Sequence, residues 1–361
     1  MKRISIFILV LLSIISCNRV RTQQSANDKP VTQFIDSTDM TNNFYDNTPT
    51  YPLPLKDITV EGEIENPGKV DLSVLPLHSV IVKETLLDIA GNDKFTGAFR
   101  YDGYSLFDIL DKRIIKKANS TEFNSIIDLY VEIENDKGEK ATFSWGEIFY
   151  PNNLHKIILA SNVSRIVPSK TKDLWKLPEY GKIVAAGDLV TERNIFSPVK
   201  ITIRSFPKSF KTIKGLSPMY SGTINIFNGV DKAGEIVTAP SAEKNVTYNT
   251  IFYGRGRGIH STSPFTGVML KGLLLKYYPF TKENLKTGMM CFAGQDGYRC
   301  AVSYSELFNR NDQQEFLLIT TPKYEDGGMF RMFPAADFFS DRAIKSLYEI
   351  DLKWFPADGQ K

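Results

Sequence analysis

LYVEIENDKGEKATFSWGEIF, residues 129–149, and GMMCFAGQDGYRCAVSYSELF, residues 288–308, lie on one another without a gap. Gly138 falls on Gly297, Ser144 on Ser303, Glu147 on Glu306 and Phe149 on Phe308, every pair 159 positions apart. Each segment reads as two short apolar strands joined at a glycine turn, the Asp296-Gly297 pair being a tight-turn signal. Each then closes on Ser-x-x-Glu, the pattern of a capping box in which serine and glutamate satisfy one another's amides at the start of a helix. Ser144, Glu147, Ser303 and Glu306 are therefore read as structural.

The match extends in both directions. Downstream, Ala186, Asp188, Arg193, Ser197 and Ile201 answer Ala335, Asp337, Arg342, Ser346 and Ile350 at a separation of 149; upstream, Gly103, Leu106, Ile109 and Leu110 answer Gly267, Leu270, Leu273 and Leu274 at 164. The fall from 159 to 149 places about ten extra residues in the first copy, within Ser161–Gly181. Three blocks in one order indicate a duplicated domain, because solenoid repeats recur every 20–50 residues or so and this period is far longer. The expected division is a first domain over residues 57–206, a Lys-, Gly- and Pro-bearing linker over 207–222, and a second domain over 223–355. Strands are predicted over Ile58–Ile64, Val80–Thr85, Lys182–Ala185 and Val199–Arg204, and a helix over Ser105–Ile115 from its apolar spacing.

The start of the chain reads as an address. Lys2 and Arg3 precede an apolar run over residues 4–15, too short to span a bilayer as a helix, and Ser16 stands before Cys17. Residues 1–16 resemble a lipoprotein signal, which implies that Cys17 is lipidated and that residues 17–56, rich in Asn, Thr, Ser and Pro, form a flexible tether. The expected localisation is a bacterial cell envelope, with the membrane as a partner through the lipid. Removing residues 1–16 lowers the formal charge from +3 to +1. So even a balance gives nucleic acid no electrostatic footprint, and none is expected as a partner.

Val60-x-Gly62-x-Ile64-x-Asn66-Pro67, Tyr101-x-Gly103-x-x-Leu106, Phe143-Ser144-x-x-Glu147 and Ala186-Gly187-Asp188 resemble the oxidoreductase molybdopterin-binding domain, the sulfite-oxidase-like fold. The resemblance implies a β-rich α+β class, in two tandem copies of that fold, with molybdopterin as the cofactor it would bring. It also implies a cysteine thiolate on molybdenum, placed after an early strand. Residues 80–97 and 246–264 hold no cysteine, so no metal ligand is assigned and no cofactor is predicted from the residues themselves. The preferred functional reading is a lipid-anchored envelope protein that binds a ligand or partner without catalysis. Two alternatives stand beside it: a molybdopterin-dependent oxidoreductase with an unusual ligand set, and a structural component of an envelope assembly.

Tyr253-Gly-Arg-Gly-Arg-Gly-Ile-His260 is the one loop whose composition suits a small anionic ligand, through backbone amides, Arg255, Arg257 and His260. Cys291 and Cys300 flank the Asp296-Gly297 turn and are either a disulfide or two buried thiols, depending on register. Asp188 and Asp337 read as turn or cap residues. Arg193 and Arg342 read either as phosphate contacts or as surface ion pairs.

Overall fold

Four mixed or antiparallel sheets carry the chain, and their strands are drawn from distant parts of the sequence. The computed structural model describes residues 45–46, 48–168, 170–254 and 262–353. The first sheet orders β11 (Lys182–Ala185), β9 (Ile157–Arg165), β6 (Asp93–Ser105) and β5 (Leu77–Leu87), with β2 (Tyr51–Pro52) also paired to β9. The second runs β4 (Gly68–Lys69), β3 (Thr59–Gly62), β12 (Pro198–Ser205), β7 (Leu129–Asn135) and β8 (Lys140–Ser144). The third has the same plan, with β14 (Asp231–Ile236), β13 (Ile224–Asn228), β21 (Leu347–Lys353), β17 (Met289–Gly294) and β18 (Arg299–Ser303). The fourth orders β15 (Asn245–Thr250), β16 (Ser263–Met269), β19 (Phe316–Thr320) and β20 (Phe330–Pro334), and a ribbon joins β1 (Tyr45–Asp46) to β10 (Val167–Pro168). In the second and third sheets β12 lies parallel to β3, and β21 parallel to β13.

Short helices turn the chain between sheets. Leu106–Leu110 (α1) and Leu270–Leu274 (α3) follow β6 and β16, Lys282–Thr287 (α4) precedes β17, and Trp145–Phe149 (α2) and Tyr304–Phe308 (α5) follow β8 and β18. The helix expected over Ser105–Ile115 is only α1, capped by Ser105, whose hydroxyl accepts from the Asp108 amide. The longest strand, β6, was not among the expected elements, though its burial alternates residue by residue from Gly97 to Ser105. The repeated glycines of β6 and β16 have a shared steric cause. A Cβ on Gly103 would sit 2.2 Å from the Leu159 carbonyl oxygen, and one on Gly267 would sit 2.7 Å from that of Leu318. Only glycine lets those strands approach their neighbours so closely.

The expectation of two tandem sulfite-oxidase-like domains is corrected by this arrangement. The described residues, from Tyr45 to Lys353, form one compact unit, and its four sheets make a single four-bladed β-propeller, β-rich with short helices. The core explains the difference. Leu87, Phe123, Ile127 and Val190 are buried in the same apolar cluster as Ile226, Leu274, Phe292 and Ile350, so the two repeated halves share one interior. A second cluster joins Tyr130 and Phe206 to Met289, Cys291 and Ala301. Truncating one such buried leucine costs about 2–5 kcal/mol. Residues 207–222 are tied down as well: Ile213 donates its amide to Asp296 at 2.8 Å, and Phe210 packs on the second cluster. The functional reading built on duplicated molybdopterin-binding-like domains, and that of an unusual molybdopterin oxidoreductase, rested on the overturned fold and falls with it, while the signal and lipid anchor read from residues 1–17 lie outside the described residues.

Candidate metal centre

Two of the chain's three histidines meet beside the cap of α1. His78 stands near the start of β5, Ser105 ends β6 and caps α1, Asp108 lies in the first turn of that helix, and His155 occupies the turn between α2 and β9. The antiparallel pairing of His78 with Gly103 brings the start of β5 to the end of β6. The pairing of Ser105 with Ile158 brings in the residues just ahead of β9. His155 has φ +64°, in the left-handed region that the tight turn demands. Histidine enters that region more readily than branched or bulky residues do.

Asp108 is the hub. His78 Nε2 lies 2.7 Å from Asp108 Oδ2, His155 Nδ1 lies 3.5 Å from the same oxygen, and Ser105 Oγ donates to it at 2.7 Å. The imidazole rings stack in parallel, with centroids 3.8 Å apart, and Phe107 meets the His155 ring edge-on. A hydroxyl has one proton, and Ser105 gives it to Asp108, so His155 Nδ1 donates in its 3.0 Å contact with Ser105 Oγ. An ionised carboxylate only accepts, so His78 Nε2 is also protonated in this network. A neutral imidazole can move that proton to its other ring nitrogen, and both nitrogens facing Asp108 then become ligands. One ligand atom from each of the three residues lies within 4.8 Å of the others. A divalent ion held at about 2.0–2.2 Å by nitrogen and oxygen keeps such atoms roughly 3.4 Å apart. Asp108 and His155 already have that spacing, while the Asp108–His78 hydrogen bond must open by several tenths of an ångström and the parallel imidazoles must turn out of their stack, because lone pairs lying in parallel ring planes do not meet at one ion.

The donor set belongs to one half alone. At the offsets of the sequence repeat, Ser105 and Asp108 fall on Met269 and Gly272, and His155 on Gln314. Met269 begins α3 without any side-chain cap. The scaffold is repeated and the ligating chemistry is not. That contrast would not be expected of residues needed only to build the turn.

Other residues singled out from sequence have different fates. Cys17, Arg255, Arg257 and His260 lie outside the described residues. Cys291 and Cys300 are buried free thiols. Cys291 sits opposite Ala301 and Cys300 opposite Phe292, so the cysteines project from different faces of the sheet into different apolar clusters. Burial pushes both thiols well above their ordinary pKa. Neither is a ready thiolate, and because the fold is not the sulfite-oxidase one, the molybdopterin that the resemblance implied is not supported.

Arg193 and Arg342 are neither surface ion pairs nor free phosphate contacts: both are buried at the centre of the molecule. Arg193 grips Asp188 through two bonds of 2.8 and 2.6 Å and reaches Glu147 at 3.0 Å; Arg342 grips Asp337 at 2.8 and 2.6 Å and reaches Glu306 at 2.6 Å. Burial alone would lower both guanidinium pKa values, but the paired carboxylates override it and hold them above the usual range. Asp188 and Asp337 are thus partners of buried arginines, and every strong charge in this network is spent on another.

The metal-centre residues had no spacing that sequence reasoning could use, since 77 positions separate His78 from His155. The one available signal was that a chain with only three histidines puts one of them on a strand that pairs with the Ser105-x-x-Asp108 cap. No protein-family model matches the chain, and no curated protein matches it either.

Proposed function

We propose that this chain is a metal-binding propeller domain that holds a divalent cation of the zinc class through His78, Asp108 and His155. The observation that carries the reading is the convergence of two of three histidines on a single carboxylate, in one half of a repeated scaffold whose other half has Met269, Gly272 and Gln314 at the positions of Ser105, Asp108 and His155. Imidazole nitrogen with carboxylate oxygen is a ligand set for zinc and its neighbours, and a poor one for the harder magnesium or calcium. Three protein ligands leave a fourth position for water or a bound molecule, as in zinc sites that act on a partner molecule and unlike the closed sites that only brace a fold. Side-chain exposures of 24, 16 and 35 % for His78, Asp108 and His155 give an ion a path from solvent.

Titration of chelator-stripped chain with zinc chloride, followed by calorimetry, tests the reading. The expected result is one ion per chain, with binding lost in His78→Ala and in His155→Ala and weakened at least about tenfold in Asp108→Asn. Zinc at 100 times its dissociation constant should also raise unfolding stability by about 2.7 kcal/mol. Failure to bind, or equal binding by the histidine variants, would sink the assignment.

A further inference from the structure

A second site lies away from the histidines, on the same sheet. A cavity of about 680 Å³ opens between the far end of β5 and the turn after β7, and the residues just before β11 form one of its walls. That wall, Lys176 to Tyr180, belongs to the stretch that is about ten residues longer in the first copy than in the second. Its volume falls in the range of small-molecule sites, roughly 300–1,000 Å³.

The floor is a buried polar cluster. Glu84 Oε1 takes three hydrogen bonds, from Lys182 at 2.6 Å, Asn194 at 3.1 Å and Tyr101 at 3.2 Å. Its other oxygen, Oε2, has no hydrogen-bond partner among the described residues. Lys182 Nζ also lies 4.6 Å from the centre of the Phe196 ring. A buried ion pair is costly to maintain, because each charge gives up water for a single partner. The repeat shows that the scaffold does not require it. Tyr101 falls on Phe265, Lys182 on Arg331 and Asn194 on Ala343, and Phe265 and Ala343 there pack against an apolar cluster built on Phe252, Leu317 and Phe333.

We infer that this cavity binds a short neutral carbohydrate. Charge decides the class. Glu84 is matched by Lys182, Lys56 meets Asp136 at 2.5 Å, Lys176 meets Glu179 at 3.2 Å, and Glu139 pairs with Lys286. Among the described lining cations only Lys137 lacks an acidic partner, so neither a phosphorylated nor a polycationic ligand finds the several unmatched charges that would repay its desolvation. A sugar needs none. Its hydroxyls can donate to Glu84 Oε2 and accept from lysine and amide groups, while its C–H faces lie against aromatic rings. Tyr180 and Phe196 supply such rings, 52 and 43 % exposed among the lining residues.

Titration of the full chain with cellobiose, maltose and lactose, with glucose 6-phosphate and free lysine as charged counter-probes, tests the inference by calorimetry and saturation-transfer NMR. At least one neutral disaccharide should bind with a dissociation constant below about 1 mM. Glu84→Gln should weaken it at least about tenfold. That variant disturbs a buried pair, so Tyr180→Ala, at an exposed position, is the second arm; it should weaken binding by a similar factor without lowering the melting temperature. The inference is overturned if none of the three disaccharides saturates, if either charged probe binds as tightly, or if Tyr180→Ala leaves the affinity unchanged.

Discussion

Ser144 Oγ donates to Glu306 Oε2 at 2.6 Å, across 162 positions of sequence. Ser144 is the N-cap and Glu306 the third position of a helix in its own half, and Glu306 has left its local partner incomplete to reach across. Around Ser144 the capping box is closed, with Glu147 accepting from the Ser144 amide at 2.7 Å. Around Ser303 only half of it forms: the Glu306 amide still donates to Ser303, but the Glu306 carboxylate has turned to Ser144 and Arg342. The contacts are reciprocal, since Arg193 Nη1 reaches Ser303 Oγ at 3.1 Å and Arg342 Nη1 reaches Ser144 Oγ at 3.3 Å. Two local motifs have become one central bolt between the halves. The glutamates differ in consequence: burial keeps Glu147 protonated to higher pH than usual, whereas at Glu306 Arg342 outweighs burial and holds the carboxyl below the usual range.

Breaking this bolt should cost more than losing an ordinary cap. Ser144→Ala removes a cap and a cross-half hydrogen bond, and about 1–3 kcal/mol of unfolding free energy should go with them. Arg342→Met leaves Asp337 and Glu306 buried without their cation, and the expected loss is about 3–5 kcal/mol. Urea unfolding of both variants and of their double mutant measures the coupling. Additive losses would show that Ser144 and Arg342 do not act through one network.

Gly146→Ala tests the packing of the same centre with the opposite sign from helix propensity. Alanine in place of glycine within a helix ordinarily gains roughly 1 kcal/mol. Here the new Cβ would stand 2.5 Å from the Arg342 guanidinium carbon, which Asp337 and Glu306 hold in place. A net loss of about 1–3 kcal/mol is expected. Gly187→Ala, where nothing lies within 4 Å of the added carbon, is the matched control and should be close to neutral. A stabilised Gly146→Ala would mean that the guanidinium is free to move.

Asp351 makes stability fall as the solution approaches neutrality. Burial, with Glu349 beside it, pushes its carboxyl up to about 7, against the opposing pull of Lys208. Between the ordinary carboxylate value and about 7 the folded chain therefore holds a proton that the unfolded chain has lost, and stability drops as pH rises through that window. The contribution is complete below about pH 4 and gone above about pH 7, amounting to roughly 1–4 kcal/mol. Chemical denaturation at pH 4.5, 6 and 7.5 reads the slope. Asp351→Asn should flatten this part of it, and an unchanged slope would assign the titration elsewhere.

The amino-acid sequence by itself determined the local elements and their repetition. The hairpin of β7 and β8 recurs in β17 and β18, both serines cap the following helices, and Gly103 and Gly267 mark the same close strand approach. These follow from short-range steric and hydrogen-bonding rules that act within a few residues, so periodicity and caps reveal them. Which sheets share a core was decided only by the tertiary structure. Leu87 and Val190 look like the interior of their own half, and nothing in their neighbours along the chain says that they are buried against Leu274 and Phe292. The metal centre and the cavity are of the same kind. Aspartate at 108 reads as a helix-turn residue until β5 and the turn before β9 bring two imidazoles to it, and Glu84 reads as a strand residue until Lys182 closes over its carboxylate. Affinity for an ion or a ligand depends on atoms converging within a few ångströms, and that convergence arises from strand register and sheet packing, which here couple residues 30 to 110 positions apart and leave no spacing to read.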